Sequence, residues 1–248
     1  MVANALTPRR LEQALEQRVL LAADPCALAA KQGRAEADLN DPARDFLGVD
    51  GCVQALALTR ALRVRAAAVA SLEAGADLLI VEAPSLEDTD LEEAGFALAY
   101  GAAELCCQAI DSVPGRGRRR FLLGRVEGAS AAQIAGFIAG GVDALIADDT
   151  KAVAQAAGAA QAETGQSLPL LDGRRFPLVE LTPQRLPAAL AAGARLITGV
   201  DPAGLDAALR RLAVDGLRPL VPGVMQEEAQ TPSSLHHALP SSYPRSAA

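Results

Sequence analysis

The chain is 248 residues long, half of them hydrophobic, with a formal charge of −7, 3% aromatic residues and no Trp. That supplies a large core, leaves few platforms on which bases or sugars stack, and offers no excess of Lys and Arg for a nucleic-acid duplex. No apolar stretch reaches the about 20 residues of a membrane span and MVANALTPRR has no apolar signal core, so a cytoplasmic protein is expected, without membrane or nucleic-acid partners.

Thr7 caps a first helix, with Pro8 at its first position and Glu12 in its first turns, running to about Gln17. Strand one follows over Val19 to Ala23 and ends at Asp24. From Cys26 to Gly51 the residues are mostly small and polar, broken by Asn40, Asp41, Pro42 and Gly48, which reads as a long loop over the mouth of a barrel. A long helix, about Val53 to Ala74, leads into strand two, Asp77 to Val81. Glu87, Asp88 and Asp90 open the next helix, where negative charge suits the dipole, and it reaches about Asp111. The basic run Arg116 to Arg120 reads as a solvated loop before strand three, Phe121 to Arg125.

Ser130 caps a short helix to Gly140, and strand four is Ala144 to Ala147. After Asp148 and Asp149 an Ala-rich helix runs to about Thr164, then strand five is Leu168 to Leu171. Pro177 to Leu181 reads as a sixth strand, followed by a helix capped by Thr182 with Pro183 at its first position. Leu196 to Thr198 is the seventh strand, Ala203 to Asp215 its helix, and Pro219 to Val221 the eighth. Beyond Gly223 no apolar period remains, so residues 224–248 read as a flexible tail.

One phrase organises this order. LEAGADLLIVE at 72–82, FIAGGVDALIAD at 137–148 and LAAGARLITGVD at 190–201 each run from a helix end through Gly75, Gly141 or Gly193 into a short apolar strand tipped by a carboxylate. Gly at such a helix end takes the left-handed conformation, so positive φ is expected at all three. Helix, Gly, buried strand, polar tip is the αβ half of a βαβ unit, and repeated copies imply a parallel sheet with helices outside. The fold expected is α/β, a (β/α)₈ TIM-type barrel over residues 1–223, complete if Pro177 to Leu181 is a strand and otherwise open or irregular at its C-terminal end, or completed by a partner.

Chemistry in such a fold sits at the carboxyl ends of the strands. The residues there are Asp24, Glu82, Arg125 with Glu127, Asp148 with Asp149, Asp172, Glu180 and Asp201, a mouth ringed by carboxylates. A ring of this kind suits an amine, a guanidinium or a hard divalent cation, and crowding raises the pKa of one member so that it serves as a general acid. The two histidines, His236 and His237, lie in the tail, so a Ser-His-Asp arrangement is not expected. No GxGxxG or P-loop motif is present. Cys26, Cys52, Cys106 and Cys107 show no metal-site spacing and read as buried reduced thiols.

DPARDFLGVDGCVQALALTRALRVRAAAVASLEAGADLLIVE, ending at Glu82, resembles the homocysteine S-methyltransferase family, which includes the homocysteine-binding module of cobalamin-dependent methionine synthase. Leu58, Thr59 and Arg60 match the family's LTRP-like step, and Leu72 to Leu79 its YLEAGADIIETNTF-like strand. GRRRFLLGRVEG resembles the next family strand, G-S-I-G-P, and GGVDALIADD the family's GVDLLLIET. The resemblance runs over roughly residues 18 to 222 and implies a (β/α)₈ barrel that binds homocysteine, methionine or a similar small amine. It also implies zinc held by three cysteines near the carboxyl end, from G-x-N-C and G-G-C-C-G strand ends. This chain has no cysteine after Cys107, so the triad is missing and no cofactor is expected.

From the resemblance, Asp24 and Asp148 hold the substrate ammonium; the ring of strand-end carboxylates adds Asp149 and Asp201 as substrate-binding residues and offers Glu82 or Glu127 as acid or base. A corrinoid or methyl-carrier protein is the implied partner. Two other readings stay open: a non-catalytic scaffold or regulatory subunit of a methyltransferase system, and a barrel enzyme using carboxylate-bound Mg²⁺.

Overall fold

The structure, a computed structural model, describes residues 7–35, 53–82, 92–114, 120–126, 130–180, 185–198 and 202–214. In chain order the elements are α1 (Thr7–Gln17), β1 (Leu20–Ala23), α2 (Pro25–Ala35), a 3₁₀ turn (Val53–Ala55), α3 (Leu56–Thr59), α4 (Ala61–Glu73) and β2 (Leu78–Glu82). There follow α5 (Glu92–Ser112), β3 (Phe121–Arg125), α6 (Ala131–Ala139), β4 (Ala144–Ala147), α7 (Thr150–Thr164) and β5 (Leu170–Asp172). The last elements are β6 (Leu178–Glu180), α8 (Leu186–Ala191), β7 (Leu196–Thr198) and α9 (Pro202–Val214).

The strands are buried on both faces, and alternate residues divide between two apolar layers. Leu20 and Ala22, Leu78 and Ile80, Phe121 and Leu123, and Ala144 and Ile146 pack inside the curl of the sheet, where Leu11 and Leu15 of α1 join them. Those two leucines are four apart, on one helix face, and fully buried. Leu21, Leu79, Leu122 and Leu145 point the other way, against Val64, Ile134 and Phe137 of the outer helices. Each fully buried Leu contributes about 1.5 to 3 kcal/mol of transfer free energy.

The repeated glycine phrase folds three times into one motif. Gly75, Gly141 and Gly193 have φ of 102°, 87° and 85°. At each, the glycine N–H and the next N–H reach back to the helix: Gly75 to Leu72 and Ala76 to Ser71, Gly141 to Ile138 and Val142 to Phe137, Gly193 to Leu190 and Ala194 to Ala189. This is the paired closure that satisfies the last carbonyls of a helix. In two copies the next residue is an aspartate that grips the neighbouring strand: Asp77 Oδ2 accepts from Leu21 N at 3.0 Å, and Asp143 Oδ2 from Leu122 N at 2.9 Å. The backbone N–H of each Asp returns the bond, to the carbonyls of Leu21 and Leu122.

Outside the sheet, α5 and α6 approach through glycine. A Cβ on Gly136 would lie 2.5 Å from the Phe96 carbonyl oxygen, and one on Gly140 would lie 2.5 Å from Ala103 Cβ. Arg120, expected in a solvated loop, is instead half-buried, donating from Nη1 to the Val113 carbonyl at 2.8 Å and from Nη2 to that of Leu72 at 3.3 Å. It thereby caps the ends of α5 and α4 together.

The seven strands among the described residues are all parallel, in the order β5-β4-β3-β2-β1-β7-β6. Residues 178–180 do form the sixth strand, yet among the described residues the barrel stays open. Strand β1 is flanked directly by β2 and β7, with Leu20 N donating to the Arg195 carbonyl at 2.8 Å, so no eighth strand fits between β7 and β1. Residues 219–221 and the tail lie outside the described residues. The gap falls between β5 and β6, which run the same way but are joined only by residues 173–177. Parallel neighbours need a crossover of a dozen or more residues, so this linker cannot make them a pair.

Two helices also depart from expectation. Residues 25–35 are helix rather than loop, because Asp24 caps the start, Pro25 takes the first position, and Cys26, Leu28, Ala29 and Ala30 are buried. The long helix before β2 is interrupted at Arg60, with φ −136° and ψ 43°, which separates α3 from α4.

Candidate functional site

The carboxyl ends of the strands carry the polar residues that the sequence places there, and the parallel register decides which meet. Glu82 and Arg125, the last residues of β2 and β3, are register partners, and Arg125 Nη1 donates to Glu82 Oε1 at 2.8 Å with both side chains half-buried. Glu180 and Thr198 are likewise paired at the ends of β6 and β7. Asp24 follows β1, and its Oδ1 accepts from Ala27 N at 3.0 Å, capping α2.

A cavity of about 550 Å³ opens among these groups, lined by Asp24, Ala27, Leu28 and Lys31 on one side and Glu82, Arg125, Leu178, Glu180 and Thr198 on the others. A smaller one of about 300 Å³ lies at the seam, lined by Arg125, Asp148, Asp149, Gly173, Pro177 and Leu178 among others. Arg125 and Leu178 border both. Asp24 and Asp148, grouped by the sequence reading, therefore face separate chambers on either side of one guanidinium.

Each carboxylate has a distinct setting. Burial pushes the Asp24 carboxyl up from 3.8 to about 6; the charge of Glu82 adds to this, and the N–H groups of Ala27 and Cys26 and the Arg125 guanidinium oppose it. Asp148 Oδ1 lies against the α-carbon of Gly173, where any Cβ would collide with it and with the Ala147 carbonyl. Asp149 caps α7, accepting from Lys151 N at 3.1 Å and Ala152 N at 3.2 Å. Asp172 serves the turn after β5, its Oδ1 accepting from Arg174 N at 2.9 Å. Glu127 and Asp201 lie outside the described residues.

Lys31 escaped the sequence reading because its helix was taken for a loop. The signal available was Asp24-Pro25, a cap followed by proline at the first helical position. Asp24, Ala27, Leu28 and Lys31 then fall at helical spacings on one face. Among the thiols, Cys106 is buried in α5, and its pKa is raised first by burial and next by Asp24. Burial, then Asp111, raises that of Cys107. Neither has the electropositive setting of a reactive thiolate.

These strand ends, parallel order and outer helices place the chain in the TIM-barrel class, with the barrel incomplete. Among solved structures, it is similar to the homocysteine methyltransferase MmuM from Escherichia coli, at TM-score 0.55 for the metallated form and 0.51 for the apo form, with 16% and 15% sequence identity. Each match covers 83% of this chain and 99% of that one. A phosphonopyruvate hydrolase in complex with oxalate and Mg²⁺ is matched at TM-score 0.34 and 16% identity, over 90% of this chain and 95% of that chain. No protein-family model and no curated protein sequence matches.

Cys26 and Cys106 are buried in helices α2 and α5, and among the described residues no three His, Cys, Asp or Glu are placed to hold a metal ion. Among the described residues, no helix is long and apolar enough to cross a membrane.

Proposed function

We propose that the chain is a divergent homocysteine S-methyltransferase-like protein that binds homocysteine, methionine or a similar small amino acid at its mouth, without the family's zinc centre. What carries this reading is that Asp24 and Asp148 stand at the ends of β1 and β4 and line cavities there. These are the positions at which the resembled family holds an ammonium group. An ammonium bound at either carboxylate gains a charge-assisted hydrogen bond.

The assignment of acid and base changes with the geometry. Glu82 is engaged by Arg125, whereas the Asp24 carboxyl is pushed up to about 6 and faces the larger cavity. Asp24 is therefore the group in this reading that holds or releases a proton beside the bound ligand. A thiol ligand would keep an ordinary pKa near about 8.5 in the absence of zinc, so methyl transfer at neutral pH would need another means of deprotonating it.

Calorimetric titration of the full chain with homocysteine and with methionine tests the reading. Because the two carboxylates face separate chambers, the substitution in the chamber that the ligand occupies, Asp24→Asn or Asp148→Asn, is expected to weaken binding about ten- to a hundred-fold, the effect of losing one such bond of about 1.5 to 3 kcal/mol, and the other to leave it unchanged. Absent binding in the wild type, or binding indifferent to both substitutions, would move the assignment to a scaffold that contacts a corrinoid or methyl-carrier protein.

A further inference from the structure

Among the described residues three large hydrophobic side chains stand exposed, Leu58, Leu62 and Phe96, and all three fall on the neighbouring helices α3, α4 and α5. Leu62 is 83% exposed. Single apolar residues scattered over a surface are ordinary, whereas a cluster marks a contact. Leu58 reaches across to α5, where a Cβ on Gly101 would lie 2.9 Å from its Cδ2. Beside Gly101, the ring of Tyr100 stacks on that of Phe96 with centroids 6.0 Å apart. The charges on these helices are sorted by sign. Residues 53–72 carry Arg60, Arg63 and Arg65 and no acid, whereas α5 carries Glu92, Glu93, Glu104 and Asp111 and no base. Phe96, Tyr100, Glu104 and Asp111 follow at spacings of four, four and seven, which puts them on one face of α5. On α4, Arg65 is exposed like Leu62 and stands one turn after it.

We propose that this face docks a second copy of the chain, with α3 and α4 of each copy against α5 of the other, about a two-fold axis that runs along the helices. In an isologous contact the same patch serves both sides, so the patch must be complementary to itself. A basic half beside an acidic half meets that requirement, because the rotation lays each arginine-bearing half on the acidic half of the partner subunit. The spacing along the helices agrees. Leu62 and Arg65 are three residues apart and Tyr100 and Glu104 four, about 4.5 and 6 Å of helix. Helix α4 leads into β2 and α5 into β3, two parallel neighbours, so both helices run the same way. Leu62 then meets the stacked Phe96 and Tyr100 of the partner subunit while Arg65 meets Glu104 of the partner subunit. A different protein carrying one sign of charge would satisfy one half of the patch and oppose the other, so the charges favour a copy. Outer helices alone carry this contact, and it stands whatever the mouth binds.

Sedimentation velocity of the full chain, over a dilution series up to about 100 µM, tests the contact. The wild type is expected to be a dimer. Leu62→Glu, at a solvent-facing position, should weaken dimerisation at least about thirty-fold with an unchanged far-ultraviolet spectrum. Arg65→Glu and Glu104→Arg should each weaken it about ten-fold, by setting like charges together. An equimolar mixture of those two variants should recover it to within about three-fold of the wild type, since in the mixed dimer the two substituted positions face each other and so do the native Arg65 and Glu104. A Leu62→Glu dimer as tight as the wild type, or a mixture no tighter than its components, would overturn the contact. So would a monomeric wild type. If Leu62→Glu then lowered its thermal stability, the face would belong to another segment of the same chain, and if not, to a different partner.

Discussion

At the scale of the residue, Asp24 carries a cost that its position explains. Its carboxyl is held near 6 in the folded chain against 3.8 for an ordinary aspartate. The folded state thus binds the proton more tightly than the unfolded one, so stability falls as pH rises from about 4 to about 6 and is level above that. The displacement corresponds to at most about 3 kcal/mol. Asp24→Asn keeps an oxygen for the Ala27 N–H and removes the charge, so at pH 7 it is expected to stabilise the chain by about 1 to 3 kcal/mol while weakening the binding of a ligand held in the larger cavity. Denaturant unfolding at pH 7 and pH 4 checks this: the gain should largely vanish at the lower pH, and a variant less stable at pH 7 would contradict it. That a carboxylate stands at this strand end was legible in the sequence, but which one would be perturbed was not. The sequence reading favoured Glu82 as acid or base; register set it against Arg125, a partner 43 residues away. Arg120 teaches the same lesson, since the carbonyls it caps lie 7 and 48 residues from it.

Elements were legible wherever a local signal sufficed. The three glycine turns follow from a phrase of about ten residues, because a helix end and its left-handed cap are local chemistry. The helix α2 was not, because small and polar composition was weighed above the cap at Asp24 and Pro25, and the burial of Cys26, Leu28, Ala29 and Ala30 is a tertiary fact. Two glycine substitutions separate the local from the tertiary cause. Gly193 has φ 85° and a methyl added there would meet nothing within 4 Å, so Gly193→Ala should cost only the left-handed conformation, about 1 to 2 kcal/mol. Gly136 has ordinary backbone, but its new methyl would meet the Phe96 carbonyl, so Gly136→Ala should cost about 1 to 3 kcal/mol by forcing α5 and α6 apart. Equilibrium unfolding gives the costs, and an altered near-ultraviolet spectrum in Gly136→Ala alone would mark the repacking. A Gly136→Ala protein as stable as wild type would contradict the close approach.

For the whole molecule, the parallel sense and the first seven strands could be read from the sequence, whereas strand neighbours could not. Nothing local tells Leu20 that it will bond to Arg195 rather than to an eighth strand. The short run from Asp172 to Leu178 was the readable clue to the seam, since no crossover fits within it. An open seam leaves β5 and β6 as edges among the described strands, with β1, β2 and β3 inside. Amide hydrogen exchange should therefore be slowest in β1 to β3 and markedly faster in β5 and β6. Uniform protection across all seven would show that the seam is closed in solution.

The Asp77, Asp143 and Glu82–Arg125 contacts have a common consequence. Strands such as LLIVE and FLLGR are apolar on both faces over most of their length, so hydrophobic burial penalises a one-residue slip only weakly. Asp77 ties β2 to β1 through Leu21, Asp143 ties β4 to β3 through Leu122, and the Glu82–Arg125 pair ties β2 to β3 at the opposite end. A slip of one residue would turn Glu82 and Arg125 to opposite faces and part each aspartate from its N–H. The three polar contacts thus work as keys in keyways: every successive joint from β1 to β4 carries one, and each admits a single alignment of strands that grease alone would let slide.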